Sequence, residues 1–476
     1  MSFQSKPHLP STLHLRELSI KFAGKLLLRD ELNLITSDIE LLISQGCLQP
    51  LPSFEHRLTG PECARCGNRK NSLIGHLSCA SCGEEHIYCR KCIEMGRVLA
   101  CQPLYAWAGA EADWPTHPAP CTWTGELTQA QQQAADSVAS AIQTRMPELL
   151  IWAVCGAGKT EMLFPGITQA LQLGLRICIA TPRADVVREL KPRIQKAFAE
   201  IPVQALYGGS PEREASAQLI LATTHQLLRF KSAFDVMIID EIDAFPFHAD
   251  PSLPFAANRA KKSVCTTIYL TATPRTQQQR LLTNNKLPHV FVPTRYHGHP
   301  LPVPSMHMTF QLQKNLRENR LSQTCVQWMR NRDNMDRQLL IFVPAIALAD
   351  NLVESVRELF LKEGWIEENA QVCAVHSEDP NRTEKVERFR QKKLKVIITT
   401  TILERGVTFP SVDVMVLNAG HEVFDEAALV QIAGRAGRSS DDPYGEVVFF
   451  HDGKTDAMVQ AIRHIRLMNE REGWRS

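Results

Sequence analysis

From Leu149 onward the chain repeats one pattern: a short apolar run, a polar or glycine-rich tip, then a stretch of helical spacing. Leu149-Leu150-Ile151-Trp152 leads into a glycine-rich turn, Arg176-Ile177-Cys178-Ile179-Ala180 into Thr181-Pro182-Arg183, and Leu219-Ile220-Leu221-Ala222 into Thr223-Thr224-His225-Gln226. Val236–Ile239 runs into Asp240-Glu241-Ile242-Asp243, and Ile268-Tyr269-Leu270 into Thr271-Ala272-Thr273-Pro274. Runs this short are buried strands, and strand, tip, helix in repetition is an α/β arrangement whose chemistry gathers at the C-termini of parallel strands. A Pro-, His- and Gly-rich passage at 293–304 interrupts the pattern, which resumes at Leu339–Val343, Gln371–Val375 and Lys395–Ile398. Two αβ domains are therefore expected, over 126–300 and 301–476.

The first part of the chain reads differently. Leu- and charge-rich stretches at Leu26–Leu32 and Ser37–Ile43 predict a small helical segment over 1–58, with Ser37 or Asp38 capping its second helix and Gly46 ending it. Residues 101–125 hold four prolines and Trp107, Trp114 and Trp123, a composition expected of a linker packed on the next domain.

Composition adds limits. The 476 residues are 44% hydrophobic, and 53 Lys plus Arg against 51 Asp plus Glu leave a net charge of +2, so any nucleic-acid binding must come from local patches. Met1–His8 lacks the apolar run of a secretory leader, and no stretch is apolar enough to span a membrane, so a cytosolic location is expected.

Of the fourteen cysteines, six form C-x-x-C pairs: Cys63/Cys66, Cys79/Cys82 and Cys89/Cys92. In a reducing compartment such pairs point thiolates at one cation from tight loops, so 59–100 is expected to be a structural zinc module. The first pair can close with either of the others. A second site formed from Cys79 and Cys82 with His76 or His86 stays open.

The turn Ala153-Val154-Cys155-Gly156-Ala157-Gly158-Lys159-Thr160-Glu161 follows a strand and opens a helix, with alanine where the full phosphate-loop pattern has its first glycine. Backbone N–H groups there cradle phosphates, Lys159 reaches the β and γ phosphates and Thr160 holds Mg²⁺. Asp240 is placed to hold Mg²⁺ and Glu241 to orient the attacking water. Thr128 caps a helix on which the amide of Gln131 is suited to an adenine edge. In Gln431-Ile432-Ala433-Gly434-Arg435-Ala436-Gly437-Arg438, the two arginines fall on one face of a helix, as arginine fingers for the transferring phosphoryl group.

Taken together, GAGKTE, TPR, TTHQL, DEID, TATP, ERGVTFP and QIAGRAGR resemble the ordered motifs of superfamily-two helicases and translocases, over 126 to 460. That resemblance implies two tandem RecA-like domains preceded by the helical segment and the zinc module. A finer similarity, carried by C-x-R-C-G…Y-C-R-x-C, LLIWAVCGAGKTEMLFPGI, IIDEIDAFPF and ITTTILERGVTFP, is to the late-competence ComFA family. It implies zinc on Cys63, Cys66, Cys89 and Cys92, the first and last pairs. It also implies an ATPase stimulated by single-stranded DNA, which imports transforming DNA from the cytoplasmic face of the membrane. The implied partners are the membrane DNA channel, a ComFC-type protein and DprA, with homo-oligomerisation left open.

On this reading Gly156, Ala157, Gly158, Lys159, Thr160, Glu161, Gln131 and Gly406 hold ATP and Mg²⁺, with Gln431, Arg435 and Arg438 facing them. Thr181, Arg183, Thr223, Thr224 and Thr399 meet single-stranded DNA through phosphates. The rivals are a primosome- or repair-type helicase and a nucleotide-switched zinc adaptor. Pro165, so close behind Lys159 in an expected helix, is shared by the family and has no explanation at this level.

Overall fold

The computed structural model describes residues 12–58, 60–212 and 216–474. The segment Met1–His8, expected to lack a leader, lies outside the described residues. The chain divides into two compact units, one of Met1–Glu126, Gln132–Ile151 and Thr160–Val290, the other of Leu127–Gln131, Trp152–Lys159 and Phe291–Ser476.

In the first unit, helix Thr12–Phe22 precedes β1 (Leu26–Leu27), helix Thr36–Ser44 and β2 (Leu48–Leu51). β3 (Phe54–Arg57) and β4 (Gly60–Cys63) form a hairpin, and β5 (Ile74–Ser78), β6 (Glu85–Cys89) and β7 (Val98–Leu99) an antiparallel sheet. β8 (Leu104–Trp107) then inserts between β1 and β2. The N-terminal segment is thus mixed, not helical, and the passage expected to be a linker supplies its central strand.

Two local causes explain the difference. Leu104 and Ala106 are buried while Tyr105 and Trp107 are half-buried, the period of a strand. At Gly24 (φ 60°) a Cβ would fall 2.4 Å from Ala233, so the chain turns there and Leu26-Leu27 enters a sheet instead of continuing a helix. The helix over Thr36–Ser44 starts after Ile35 with no side-chain cap, which displaces the expected cap at Ser37 or Asp38 into its first turn; Gly46 (φ 70°) follows its end as expected. The tryptophan-rich passage does pack on the αβ core of the same unit. Trp114 stacks on the guanidinium of Arg176 at 4.7 Å, and Trp123 meets Phe164 edge-on at 5.4 Å.

The larger sheet holds β9 (Glu148–Ala153), β10 (Ile177–Thr181), β11 (Val203–Leu206), β12 (Leu219–Thr223), β13 (Phe234–Ile239), β14 (Lys261–Thr271) and β15 (His289–Val292). Their order is β11-β12-β10-β13-β14-β9-β15, and the pairs from β11 through β14 are parallel. Every residue of β10 and β12 is buried, the continuous apolar run of a strand covered on both faces.

A second sheet comprises β16 (Ser305–Met308), β17 (Gln338–Phe342), β18 (Val372–Val375), β19 (Val396–Thr399), β20 (Val412–Leu417) and β21 (Val447–His451). It is parallel throughout, in the order β16-β21-β20-β17-β19-β18. Leu339, Ile341, Val396, Ile398, Met415 and Phe450 lie in its core. Among the described residues no helix is long and apolar enough to cross a membrane.

Candidate nucleotide site and cysteine centres

After β9 the phosphate loop turns through Gly156 (φ 81°) and Gly158 (φ 70°), conformations that exclude most side chains. Helix Lys159–Met162 begins at once, with Lys159 half-buried and Thr160 buried. Pro165 now has its explanation. The helix breaks at Leu163 and restarts as Phe164–Gln172, with Pro165 in the new first turn, where a missing N–H costs nothing. Glu161 pairs with Arg193 at 2.6 Å.

Gln131 is buried, and its amide is engaged on both sides. Its Oε1 accepts the Thr128 N–H at 2.7 Å while Thr128 Oγ1 accepts the Gln131 N–H at 3.4 Å, a capping box. Its Nε2 donates to the Ala157 carbonyl at 2.9 Å, so the residue holds the phosphate loop itself.

Asp240 and Glu241 follow β13, and the Asp240 N–H donates to the Ala180 carbonyl at 2.8 Å. Glu241 turns through φ 55° and donates its N–H to Asp240 Oδ1 at 2.9 Å. Asp243, which had no assigned role in the sequence reading, is 1% exposed and accepts from Thr271 Oγ1 and Thr273 Oγ1, each at 2.6 Å. One carboxylate therefore ties the DEID turn to the TAT turn.

Within the second unit, Arg435 and Arg438 do not share a helix face. The helix is Glu426–Ala433; Gly434 caps it, and Gly437 takes φ 59°. Both glycines are set by close approach: a Cβ on Gly434 would meet that of Cys155 at 2.5 Å, and one on Gly437 the Pro443 carbonyl at 2.2 Å. Arg435 is 3% exposed, donating to the carbonyls of Glu404 and Val407, the latter beside Gly406 (φ 73°). Arg438 is half-buried and donates to the Gly434 carbonyl at 2.8 Å. Gln431 is buried, and its Oε1 accepts from Cys155 Sγ at 3.0 Å.

Arg295 escaped the sequence reading because it lies in the irregular passage between the two αβ runs. It is 1% exposed and donates to the carbonyls of Ala436 and Gly437. Burial, then the charge of Arg438, pull its pKa down to about 10. Arg295 stands against the phosphate loop, its Nε 3.5 Å from where a Cβ on Gly156 would lie.

The residues expected to meet DNA stand at strand ends. Thr181 pairs in register with Thr223, and Thr399 lies opposite Val375 and Phe342. All four threonines are buried, with Thr399 Oγ1 donating to the Val375 carbonyl at 2.7 Å. Arg183 is ion-paired with Asp185 at 2.9 Å.

The structure gathers Cys63, Cys66, Cys89 and Cys92 into one buried cluster. Sulfur separations of 3.9 Å (Cys63–Cys92) and 3.5 Å (Cys66–Cys89) bracket the ~3.8 Å edge of a tetrahedron with Zn–S bonds of about 2.3 Å, so the donor set fits zinc. Mutual S–H bonds, Cys63 foremost, hold the Cys89 thiol low and push Cys66 and Cys92 high.

Positive charge is built in beside the cluster. Arg259 donates to the carbonyls of Ala64, Arg65 and Leu228, and burial followed by Arg65 lowers its pKa to about 10 while the thiols of Cys63, Cys92 and Cys66 oppose the fall. Arg65, fully buried, pairs with Glu31 at 2.7 Å and donates to the Met95 carbonyl at 2.9 Å.

The middle pair does not join this cluster. Cys79 and Cys82 instead meet Cys101, which the sequence reading passed over because it stands outside any C-x-x-C pair. The N–H groups of Ser81 and Cys82, with the Cys101 thiol, lower Cys79 to about 6. His86 Nε2 lies 3.2 Å from Cys82 Sγ, whereas exposed His76 turns to Glu85 at 3.3 Å.

A phosphate loop, a strand-borne DEID turn and two largely parallel sheets define a helicase-type ATPase of superfamily two with two RecA-like domains. Family models agree: the type III restriction enzyme res subunit matches 124–276 and the helicase conserved C-terminal domain 319–440. The ComFA N-terminal domain matches 12–106, ending within β8. The competence protein ComFA of Bacillus subtilis is 42% identical over 456 residues, 96% of each chain, and that of Streptococcus pneumoniae 38% identical over 81% of this chain and 86% of its own. The chain belongs to the ComFA family. In fold it is similar to the DEAD-box helicase Mss116 solved with ssRNA and UDP-BeF, with a TM-score of 0.53 at 18% identity over 68% of this chain and 70% of that one.

Proposed function

We propose that the chain is an ATP-driven translocase on single-stranded DNA that draws transforming DNA into the cytoplasm during natural competence. Gly156, Ala157, Gly158, Lys159 and Thr160 would hold the triphosphate, Thr160 and Asp240 the Mg²⁺, and Glu241 the attacking water. Arg438 would meet the transferring phosphoryl group, steadied by Arg295, while Gln131, Gln431, Arg435 and Gly406 shape the loops around it. The nucleotide and metal, when bound, would supply a polarised γ-phosphoryl group; the chain's own residues would orient it and the one attacking water.

The observation that carries the reading is the Asp243 bridge. A buried carboxylate links the DEID turn to Thr271 and Thr273, and through it a change at the nucleotide would reach a second strand end without crossing solvent. DNA would pass over the ends of β10, β12 and β19, held by Arg183 and by backbone N–H groups next to the buried threonines. The cysteine centre would hold zinc as a rigid part of the first unit. A membrane DNA channel, a ComFC-type protein and DprA would be its partners, as the family resemblance implies.

Steady-state ATP hydrolysis measured with no polymer, single-stranded DNA, duplex DNA and RNA tests the proposal. Single-stranded DNA should stimulate most, and Lys159→Ala should cut turnover by about 10²-fold or more with the fold intact. Stimulation by RNA alone, or by no polymer, would overturn it; unwinding of forked duplexes would reassign the motor to repair or replication.

A further inference from the structure

The β5–β6 hairpin ends in a turn that repeats the geometry of the first cysteine pair. In the Cys63-x-x-Cys66-Gly67 turn, the Gly67 N–H donates to the Cys63 carbonyl at 2.8 Å, and the Cys63 N–H to that of Asn68 at 3.0 Å. In Cys79-x-x-Cys82-Gly83, the Gly83 N–H donates to the Cys79 carbonyl at 2.8 Å, and the Cys79 N–H to that of Glu84 at 2.8 Å. Gly67 and Gly83 turn through φ 70° and 75°. Such a turn aims two sulfurs at one point.

A third sulfur reaches that point from elsewhere in the chain. β7 runs beside β6, the Ala100 N–H donates to the Ile87 carbonyl at 2.9 Å, and the Gln102 N–H closes a turn on Leu99 at 3.0 Å. That turn delivers Cys101 to Cys79 and Cys82, with all three sulfurs within 4.8 Å of one another. His86, on β6, brings an imidazole nitrogen within 3.2 Å of Cys82 Sγ. The three thiols are already gathered, and the imidazole, in contact with Cys82, needs only to swing toward the other two sulfurs to complete a tetrahedral zinc donor set.

We infer that Cys79, Cys82, Cys101 and His86 bind a second zinc ion, distinct from the one at Cys63, Cys66, Cys89 and Cys92. Three thiols lose their protons when the cation binds, and His86 binds as the neutral imidazole. Zinc here pins the hairpin tip to the turn that starts β8, the central strand of the N-terminal sheet, so the cysteine module and the N-terminal segment become one piece. Cys82 and Cys101 are exposed, whereas all four cysteines of the first cluster are buried, so the second ion should leave first under a chelator.

Native mass spectrometry and elemental analysis of the full chain, exchanged into zinc-free buffer, test this. Two zinc ions per chain are expected, falling to one in Cys101→Ser and to one in Cys63→Ser. One ion in the wild type, or two retained in Cys101→Ser, overturns the inference; loss in Cys63→Ser alone would leave only the first centre standing. Should Cys101→Ser fail to fold, alkylation of the wild-type protein decides. Cys79, Cys82 and Cys101 should be protected until chelator is added, and equal labelling with and without it, or a disulfide among the three, counts against the site.

Discussion

Arg435 donates from Nε and Nη2 to the Glu404 carbonyl, at 2.9 and 2.6 Å, and from Nη1 to that of Val407. A guanidinium so committed shapes the ERGV turn, whereas Arg438, half-buried and held through Nε to the Gly434 carbonyl, is the better placed to meet a phosphoryl group. The two should fail differently. Arg435→Ala removes the donors to the Glu404 carbonyl and to the buried Val407 carbonyl, at about 1–3 kcal/mol for the latter, and should lower the denaturation midpoint together with turnover. Arg438→Ala should leave the midpoint in place and lower kcat by about 10²-fold or more, as loss of a charge-stabilising group does. Equal midpoints for both variants would show that Arg435 is not structural.

Glu31, Arg65 and Arg229 join three elements: the turn after β1, the first cysteine turn, and the segment after β12. Burial alone would raise the Glu31 pKa, but Arg65, then Arg229, outweigh it and the net shift is downward. A carboxylate whose folded pKa lies below its unfolded value contributes stability above the unfolded value and loses it as pH falls through the folded one. Thermal unfolding should therefore show a loss below pH ~4.5 that Glu31→Gln flattens. At neutral pH that variant should be less stable by roughly 3 kcal/mol, since Arg65 is left buried without its partner.

None of this junction was legible in the sequence, because its members lie far apart and each looks like an ordinary surface charge. What was legible is what a local period encodes: the strands at Leu219–Thr223 and Val236–Ile239, the glycine-dependent phosphate loop and the paired cysteines. What was not depends on distant partners. β1 is a strand only because β8 lies beside it, Cys101 joins the middle cysteine pair only because a turn brings it to Cys79, and Pro165 is harmless only because the helix has already broken.

A net charge of +2 gives the whole molecule no long-range pull on a polyanion, so its grip on DNA must come from few close contacts. On single strands each neutralised phosphate contributes about 0.7 to the slope of log affinity against log salt, so the slope counts those contacts. On the proposed DNA path Arg183 would enter that count conditionally, because its guanidinium is paired with Asp185 at 2.9 Å and DNA would have to displace the carboxylate. The half-maximal DNA concentration for ATPase stimulation, followed across salt, should rise steeply and alike for unrelated sequences. Arg183→Ala should weaken binding for all of them and reduce the slope by about 0.7, whereas Asp185→Ala, which removes a competing carboxylate, should tighten binding at low salt. An unchanged slope in Arg183→Ala would remove that residue from the DNA path and move the contacts to the backbone N–H groups at the strand ends.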